Sequence, residues 1–242
     1  MKLGLFSDVH SNLEALKAVL AVFKDAGVTR YVCCGDIIGY GPDPNKCVEL
    51  VRGLKPLCVA GNHDYGLVGR TPTSGFNQSA LQALDWTREQ ITRTNRLYLE
   101  NLPLTERMNQ LFVVHAAPSE PADWPYLLSL HEAEEEMDYY AETVCLVGHS
   151  HYPFAVERVP GEPAHFIRQE SFEVRPAAKY IINLGSVGQP RDGDPRAACM
   201  VYNLRANTMM FHRVAYDVAA AQKKIRAAGL PDYLASRLAA GR

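Results

Sequence analysis

Polar side chains follow five apolar stretches of the sequence, each at the point where the stretch ends. They are carboxylates, an amide and imidazoles, and no cysteine stands among them. The motifs are Asp8-Val9-His10, Gly35-Asp36, Gly61-Asn62-His63-Asp64, His115 and Gly148-His149-Ser150-His151. Oxygen and imidazole ligands without thiolate suit Mn²⁺, Fe, Zn²⁺, Ni²⁺ or Co²⁺ better than a structural zinc site. The residue types therefore predict a reactive centre for divalent metal ions.

The spacing within two of these motifs gives their members a reason to meet. Residues two apart on an extended segment point to the same side, so Asp8 and His10 can reach one volume. The same argument applies to His149 and His151. One Asp or His at a strand end is usually an ordinary surface or core group. Five such motifs in this order are hard to explain by coincidence.

The apolar stretches before the motifs are predicted strands, and helical patterns lie between them. The first part of the chain alternates predicted strands at 2–6, 30–34 and 57–60 with predicted helices at 13–26 and 44–53. This order predicts parallel strands with helices on the faces of the sheet. Ligands of open α/β sheets bind outside the carboxyl ends of the strands, which is where the motifs stand.

Two later parts of the chain depart from this alternation. Helical spacing over residues 77–101 predicts one or two helices, within a helical insertion or cap at about residues 66–103. After His151, short apolar stretches and turns predict antiparallel strands, and residues 218–228 have the pattern of a helix. No repeat or linker divides the sequence, so residues 1–242 are predicted to form a single domain.

The composition argues against several classes of function. The 242 residues carry a net charge of −2, so no overall field attracts nucleic acid or an anionic membrane. No apolar run reaches the roughly 20 residues that span a bilayer. The six cysteines form no CxxC pair and lie mostly in apolar runs, as buried reduced thiols do. We expect a cytoplasmic protein without membrane or extended nucleic-acid partners, and its oligomeric state stays open.

The full run of motifs resembles the signature of the calcineurin-like metallophosphoesterases and spans residues 8–151. The segment Asn183-Leu184-Gly185-Ser186 resembles the Asn-x-Gly-Ser turn of small bacterial and archaeal members, which are of phosphodiesterase type. The resemblance implies an α/β (α+β) fold, a four-layer αββα sandwich of two mixed sheets flanked by helices. It also implies a metal-dependent hydrolase of phosphate esters.

The resemblance implies a complete set of metal ligands in this chain. The residues are Asp8, His10, Asp36, Asn62, His115, His149 and His151. One ion would be held by Asp8, His10 and His151, the second by Asn62, His115 and His149, with Asp36 bridging both. Two divalent ions are implied, and Mn²⁺ is favoured over Fe, Zn²⁺, Ni²⁺ and Co²⁺. The positive charge of the two ions exceeds the negative charge of the carboxylates and a bridging hydroxide. The site therefore keeps a net positive charge that can bind a phosphate ester.

His63 is the motif histidine to which the resemblance gives no metal. It implies that His63 protonates the leaving oxygen or stabilises charge on the phosphorus centre. Asp64, the next residue, is expected to orient the His63 imidazole and raise its pKa.

Three further residues are expected to contact the substrate. Arg191 can reach a phosphate oxygen with its planar guanidinium, although Asp192 and Asp194 could instead hold it in a surface network. Tyr40 follows the second predicted strand closely and is expected to line the pocket, although its turn needs no function. Asn62 is counted as a substrate contact as well as a ligand.

Several functions are compatible with this site. We favour hydrolysis of a small phosphodiester, with nucleotides among the candidates, by attack of a metal-bridged hydroxide with His63 as the acid. The alternatives are a phosphomonoesterase or protein phosphatase, and a non-enzymatic regulatory scaffold on the same fold. A nuclease would need a basic, aromatic-lined track, and a thin cluster of arginines in the 66–103 region is a poor match.

Overall fold

Twelve strands and eight α-helices make up the computed structural model, which describes residues 1–242. The strands are β1 (Lys2–Phe6), β2 (Arg30–Cys33), β3 (Leu57–Cys58), β4 (Thr105–Met108), β5 (Leu111–Val114), β6 (Val144–Val147), β7 (Phe154–Arg158), β8 (His165–Phe166), β9 (Ser171–Glu173), β10 (Lys179–Asn183), β11 (Ala197–Asn203) and β12 (Thr208–Val214). The helices are α1 (Leu13–Asp25), α2 (Pro44–Leu54), α3 (Asn62–Val68), α4 (Gln78–Gln90), α5 (Arg93–Glu100), α6 (Leu130–Glu136), α7 (Val218–Ala227) and α8 (Asp232–Ala240).

The strands form two mixed sheets of six strands each. The first has the order β3-β2-β1-β11-β12-β9, and the second has the order β4-β5-β6-β10-β7-β8. Strands β1, β2 and β3 are parallel, as their alternation with helices predicted. Strands β11 and β12 add to them in antiparallel fashion. In the second sheet, β5, β6 and β10 are the parallel strands.

The period-two alternation of side chains along the strands builds the layers. In β6, Val144 and Leu146 belong to the core between the two sheets, whereas Cys145 and Val147 belong to the cluster under α6. The outer face of the first sheet packs against α1 and α2 in a separate cluster. The resulting order of layers is helix, sheet, sheet, helix. The four-layer αββα sandwich expected from the sequence is confirmed.

The helical stretch at residues 77–101 consists of two helices, α4 and α5. Asn77 and Thr92 cap these helices by accepting hydrogen bonds from the amides of Ala80 and Asn95. Thr92 therefore begins a new helix, although the spacing of apolar residues alone continues through this position without a break. The short strands β4 and β9 were not predicted. Both lie at sheet edges and are largely half-buried or exposed, so they lack the buried-face pattern that identifies a strand.

The C-terminal helices and the cysteines complete the core. Helices α7 and α8 pack on each other and, in one cluster, on Tyr40. All six cysteines are free and buried, as predicted. None of the helices has the length and apolar character needed to cross a membrane.

Candidate metal centre

The loops that follow β1, β2, β3, β5 and β6 bring the motifs together. Every residue of the implied ligand set is buried, and the most exposed of them, Asn62 and His149, have relative exposures of 8% and 6%. Three groups of side chains have ligand atoms within 4.8 Å of one another. They are Asp8, His10 and His151 (the first group), Asp36, His115 and His149 (the second group), and His10, Asp36 and His63.

Asp36 lies between the first and second groups. Its Oδ2 atom is 3.6 Å from His10 Nε2 and 3.4 Å from His115 Nε2. Within the first group, Asp8 Oδ1 is 3.1 Å from His151 Nε2 and 3.6 Å from His10 Nε2. One carboxylate therefore borders on histidines of both groups.

The backbone at the ligands is left-handed rather than extended. Asp8, His10, Asp36, His149 and His151 have φ angles between 46° and 64°. The extended-segment argument for pairs two residues apart is therefore wrong, because each side chain is turned toward the centre by its own backbone. A non-glycine residue in this region costs about 1–3 kcal/mol, and such strain concentrates where function requires it.

Backbone carbonyls orient three of the imidazoles. His10 Nδ1 lies 3.0 Å from Ile38 O, and His115 Nδ1 lies 2.6 Å from Cys34 O. His151 Nδ1 lies 2.6 Å from Gln189 O. Because a carbonyl can only accept, each Nδ1 carries a proton, and the Nε2 atom of each ring faces the carboxylates of the centre.

Four ligand atoms of the centre have no hydrogen-bond partner although they are buried: Asp8 Oδ1, Asn62 Oδ1, His115 Nε2 and His149 Nε2. An unsatisfied buried polar group costs about 1–3 kcal/mol. Divalent cations that prefer nitrogen and oxygen ligands would satisfy all of them. The donor set of this site therefore fits metal ions, and cysteine takes no part in it.

The Asn-x-Gly-Ser turn joins two of the ligand loops. Asn183 donates from Nδ2 to Gly148 O at 2.6 Å, and Ser186 donates from Oγ to Asp8 O at 2.8 Å. The turn after β10 thus fixes the loop after β1 and the loop after β6 relative to each other.

Gly61 provides a test of how tightly the centre is built. A Cβ atom at Gly61 would overlap the carboxylate of Asp36, although the φ of −99° would accept alanine. We expect Gly61→Ala to lower the free energy of unfolding by about 1–3 kcal/mol through overpacking and to weaken metal binding. Chemical denaturation and metal analysis measure both effects.

Gly53→Ala is the matched control for this substitution. A Cβ atom at Gly53 meets nothing within 4 Å, and the residue lies in α2. Alanine there is expected to raise stability by about 0.5–1 kcal/mol. Equal behaviour of the two variants would contradict the close approach of backbone and carboxylate at Gly61.

The ligand histidines differ in their proton affinity. Burial lowers the pKa of His149 and of His151 to about 3, so both are neutral and ready to bind metal. Burial also opposes the charged form of His115, but the Asp36 carboxylate outweighs it and raises the pKa to about 9. The His115 imidazole is therefore positively charged at pH 7, with a proton on both nitrogens. A metal ion that binds His115 would displace one of these protons.

We expect metal binding at pH 7 to release about one proton per chain. Because His115 is protonated below its pKa, metal affinity should rise roughly tenfold per pH unit up to about pH 9. Calorimetric titration in buffers of different ionisation enthalpy measures the released proton directly. Affinity that is independent of pH over this range would contradict the His115–Asp36 pairing.

Asp64 does not orient His63, so that expectation is wrong. Its carboxylate accepts from the amides of Gly61 at 3.1 Å and of Ile37 at 3.1 Å, which caps α3 and holds the loop after β2. His63 Nδ1 has no partner, and burial lowers the pKa of His63 well below its usual range. Asp64 instead satisfies backbone donors, because its position in the first turn of α3 directs it back to them.

Arg191 and Tyr40 lie together beside the centre. The Arg191 guanidinium donates to Gln189 Oε1 at 3.0 Å and to the Tyr40 hydroxyl at 3.4 Å. The Tyr40 ring in turn lies 4.6 Å from the His63 ring.

The acidic neighbours in the sequence of Arg191 do not hold it. Asp192 pairs with Arg213, and Asp194 pairs with Arg196 at 2.7 Å. The surface network considered for Arg191 is therefore absent.

A cleft of about 270 Å³ opens beside the centre. Asn62, His63 and His149 are among its lining residues, and Tyr40 lines it as expected. Sequence reasoning missed the three rings that form much of its wall: Phe76, Trp124 and Tyr126. These residues lie in loops without a motif, and only the fold places them here. We call this space the aromatic cleft.

The fold and the site define the class of protein. A sandwich of two mixed sheets with an Asp, Asn and His centre at the strand ends belongs to a metal-dependent phosphoesterase. Residues 1–206 match the calcineurin-like phosphoesterase superfamily domain, and the chain belongs to this family. The resemblance seen in the sequence is confirmed.

Known relatives cover the whole chain. The structure is similar to the crystal structure of a metallophosphoesterase from Sphaerobacter thermophilus, with a TM-score of 0.88, 41% identity and coverage of 100% of this chain and 99% of that one. An uncharacterized protein of Methanocaldococcus jannaschii is 39% identical over 99% of this chain and 98% of its own length. The phosphodiesterase YfcE of Escherichia coli is 26% identical over 84% of this chain and 88% of its own length.

Proposed function

We propose that this chain is a phosphodiesterase with a dinuclear metal centre that hydrolyses a small diester. The observation that carries the proposal is the position of Asp36, whose Oδ2 atom borders His10 of the first group and His115 of the second. A carboxylate shared in this way can bind one ion with each group. The similarity to a relative named a phosphodiesterase supports the diester over the monoester.

The chain supplies ligands for two ions. Asp8, His10 and His151 would hold one of them, and His115, His149 and Asn62 would hold the other. These nitrogen and oxygen donors suit Mn²⁺, Fe, Zn²⁺, Ni²⁺ and Co²⁺, and we propose Mn²⁺ among them. When bound, such ions lower the pKa of water and neutralise charge on the phosphate.

We propose that His63 acts on the leaving group. In the overall reaction, a water oxygen bonds to phosphorus, the ester P–O bond breaks, and the leaving oxygen takes up a proton. His63 is neutral in its buried position, and a neutral imidazole donates from its single N–H. We assign to His63 the donation of a hydrogen bond and a proton to the leaving oxygen, and the imidazole regains a proton from the water that attacks phosphorus.

Arg191, Tyr40 and Asn62 form the proposed substrate contacts. The Arg191 guanidinium can turn from Gln189 to a non-reacting phosphate oxygen, because both partners accept from it. Tyr40 and Asn62 line the cleft that leads to the centre. The buried free thiols support a reducing, cytoplasmic location, and the proposed partner is a small phosphate ester.

Parallel assays of a diester and a monoester test the proposal. Bis-p-nitrophenyl phosphate and p-nitrophenyl phosphate are each supplied with Mn²⁺ and, separately, with EDTA. We expect Mn²⁺-dependent turnover of the diester, faster than that of the monoester, and its loss with EDTA. Faster turnover of the monoester would show that the chain is a phosphomonoesterase and not a phosphodiesterase. Turnover of neither ester by the metal-loaded chain would favour the scaffold.

A further inference from the structure

We propose that the aromatic cleft selects diesters that carry a planar, uncharged aromatic group of the size of a nucleobase. The inference rests on the proposed phosphodiesterase function and names its substrate class. Three features of the cleft support it: rings in contact with the centre, a fixed indole wall and the absence of basic lining residues.

Two rings of the cleft touch the imidazoles of the centre. The centroid of the Phe76 ring lies 4.7 Å from the centroid of the His63 ring. The Tyr126 ring stacks on the His149 ring at 4.0 Å with an interplanar angle of 16°. A phosphate at the centre therefore has aromatic surface within reach of the groups esterified to it.

Trp124 forms a fixed part of the wall. Its indole Nε1 donates to Thr71 Oγ1 at 2.9 Å, which ties the loop before α6 to the loop before α4. Its ring also lies edge-on to Tyr65 at 5.9 Å and to His115 at 5.8 Å. A ring held in this way loses little conformational entropy when a ligand binds. Its contact with the ligand therefore adds more to the binding free energy than the same contact made by a mobile ring.

Tyr126 offers a stacking surface to the ligand. One side of its ring is covered by His149, yet the residue keeps 49% of its surface exposed. Stacking of one base on an aromatic side chain is worth about 5- to 150-fold in affinity. An aliphatic ester group of the same charge lacks this gain.

The charges of the cleft exclude polyphosphate chains. No lysine or arginine is among its lining residues, whereas Asp123 is. The Asp123 carboxylate repels additional phosphates and can accept from a ring N–H or a sugar hydroxyl. Asn77 uses Oδ1 to accept from the Ala80 amide at 2.9 Å, which leaves its Nδ2 group for a ring acceptor. The lining thus suits an uncharged ring with polar edges.

Calorimetric binding to the Mn²⁺-loaded protein tests the inference. The probes are inorganic phosphate, ribose 5-phosphate and adenosine 5′-monophosphate, since the last two share the sugar phosphate and the nucleotide carries a base in place of the anomeric hydroxyl. We expect the nucleotide to bind about 5- to 150-fold more tightly than ribose 5-phosphate. Equal affinities of these two probes would overturn the inference.

Variants of Tyr126 assign the gain to the cleft. Tyr126→Ala should bring the affinity ratio of the two probes close to one, whereas Tyr126→Phe should keep the ratio. The control Tyr139→Ala removes a tyrosine that is 61% exposed and does not line the cleft, and it should keep the ratio as well. An unchanged ratio in Tyr126→Ala would overturn the assignment to this ring.

The same measurements separate this inference from the proposed function. If the chain binds phosphate and hydrolyses the diester, but has the same affinity for the nucleotide and for ribose 5-phosphate, the proposed function stands and the inference is wrong. A chain that neither binds phosphate nor hydrolyses the diester loses both.

Discussion

Asp36→Asn is expected to abolish most phosphodiester hydrolysis and to reduce the number of metal ions bound per chain. Its carboxylate borders both ligand groups, and an amide has neither the charge nor the second anionic oxygen needed to bind two cations. Metal ions contribute several kcal/mol to stabilising phosphoryl-transfer transition states, so we expect turnover to fall by roughly 10³-fold or more. Steady-state assays and elemental analysis of the purified variant measure the two effects.

Asp25→Asn is the matched control for Asp36→Asn. It makes the same change of charge and size at an exposed position of α1. We expect wild-type turnover and metal content. An Asp36→Asn variant that behaves like this control would rule out a bridging role for Asp36.

With a diester whose leaving group is an alcohol, His63→Ala is expected to lower turnover by about 10²–10⁴-fold while the metal content stays that of the wild type. The imidazole is buried at the rim of the centre with its Nδ1 atom unpartnered, so its loss removes a donor to the leaving oxygen. His63 also lies within one of the three potential ligand groups. Loss of metal in this variant would therefore make His63 a ligand and refute its role toward the leaving group.

The leaving group distinguishes proton donation from packing. p-Nitrophenolate is stable as an anion and needs little help to depart, whereas a nucleoside or alkyl alcohol needs a proton. We expect the defect of His63→Ala to be small with a p-nitrophenyl leaving group and large with an alcohol. An equal loss with both leaving groups would assign His63 a structural role.

The candidate ligands were identifiable because each follows an apolar stretch that folds as a strand. Strands β1, β2 and β3 end at the carboxyl edge of the first sheet and β5 and β6 at that of the second, and the packing of the two sheets brings these edges together. Asn12, directly before the apolar pattern of α1, caps that helix by accepting a hydrogen bond from the Ala15 amide. Local patterns therefore indicated the strands and the centre, whereas the four-layer sandwich was expected from the family resemblance.

Long-range contacts account for what the sequence did not predict. Asp64 follows His63 directly, yet the start of α3 turns its carboxylate toward backbone amides. The carbonyls that orient His10 and His151 belong to Ile38 and Gln189, which lie far from them in the sequence. Because every residue has a backbone carbonyl, the residue types at these positions do not reveal the contacts. The left-handed turns at the ligands likewise arise from the packed loops, because Asp and His adopt positive φ more often than most residues but still only in a minority of cases.

The aromatic cleft was not predictable for a related reason. Phe76, Trp124 and Tyr126 come from loops that the fold alone brings to the centre. Exposed or half-buried aromatic residues in loops give no periodic signal in a sequence.

Metal titration of the wild-type chain tests the central claim most directly. The protein is stripped with a chelator, dialysed and titrated with Mn²⁺, while bound metal and hydrolysis of bis-p-nitrophenyl phosphate are followed in the same samples. The dinuclear account predicts saturation at about two ions per chain, with most of the activity arising as the second ion binds. Full activity with a single bound ion, or saturation at one ion, would contradict it.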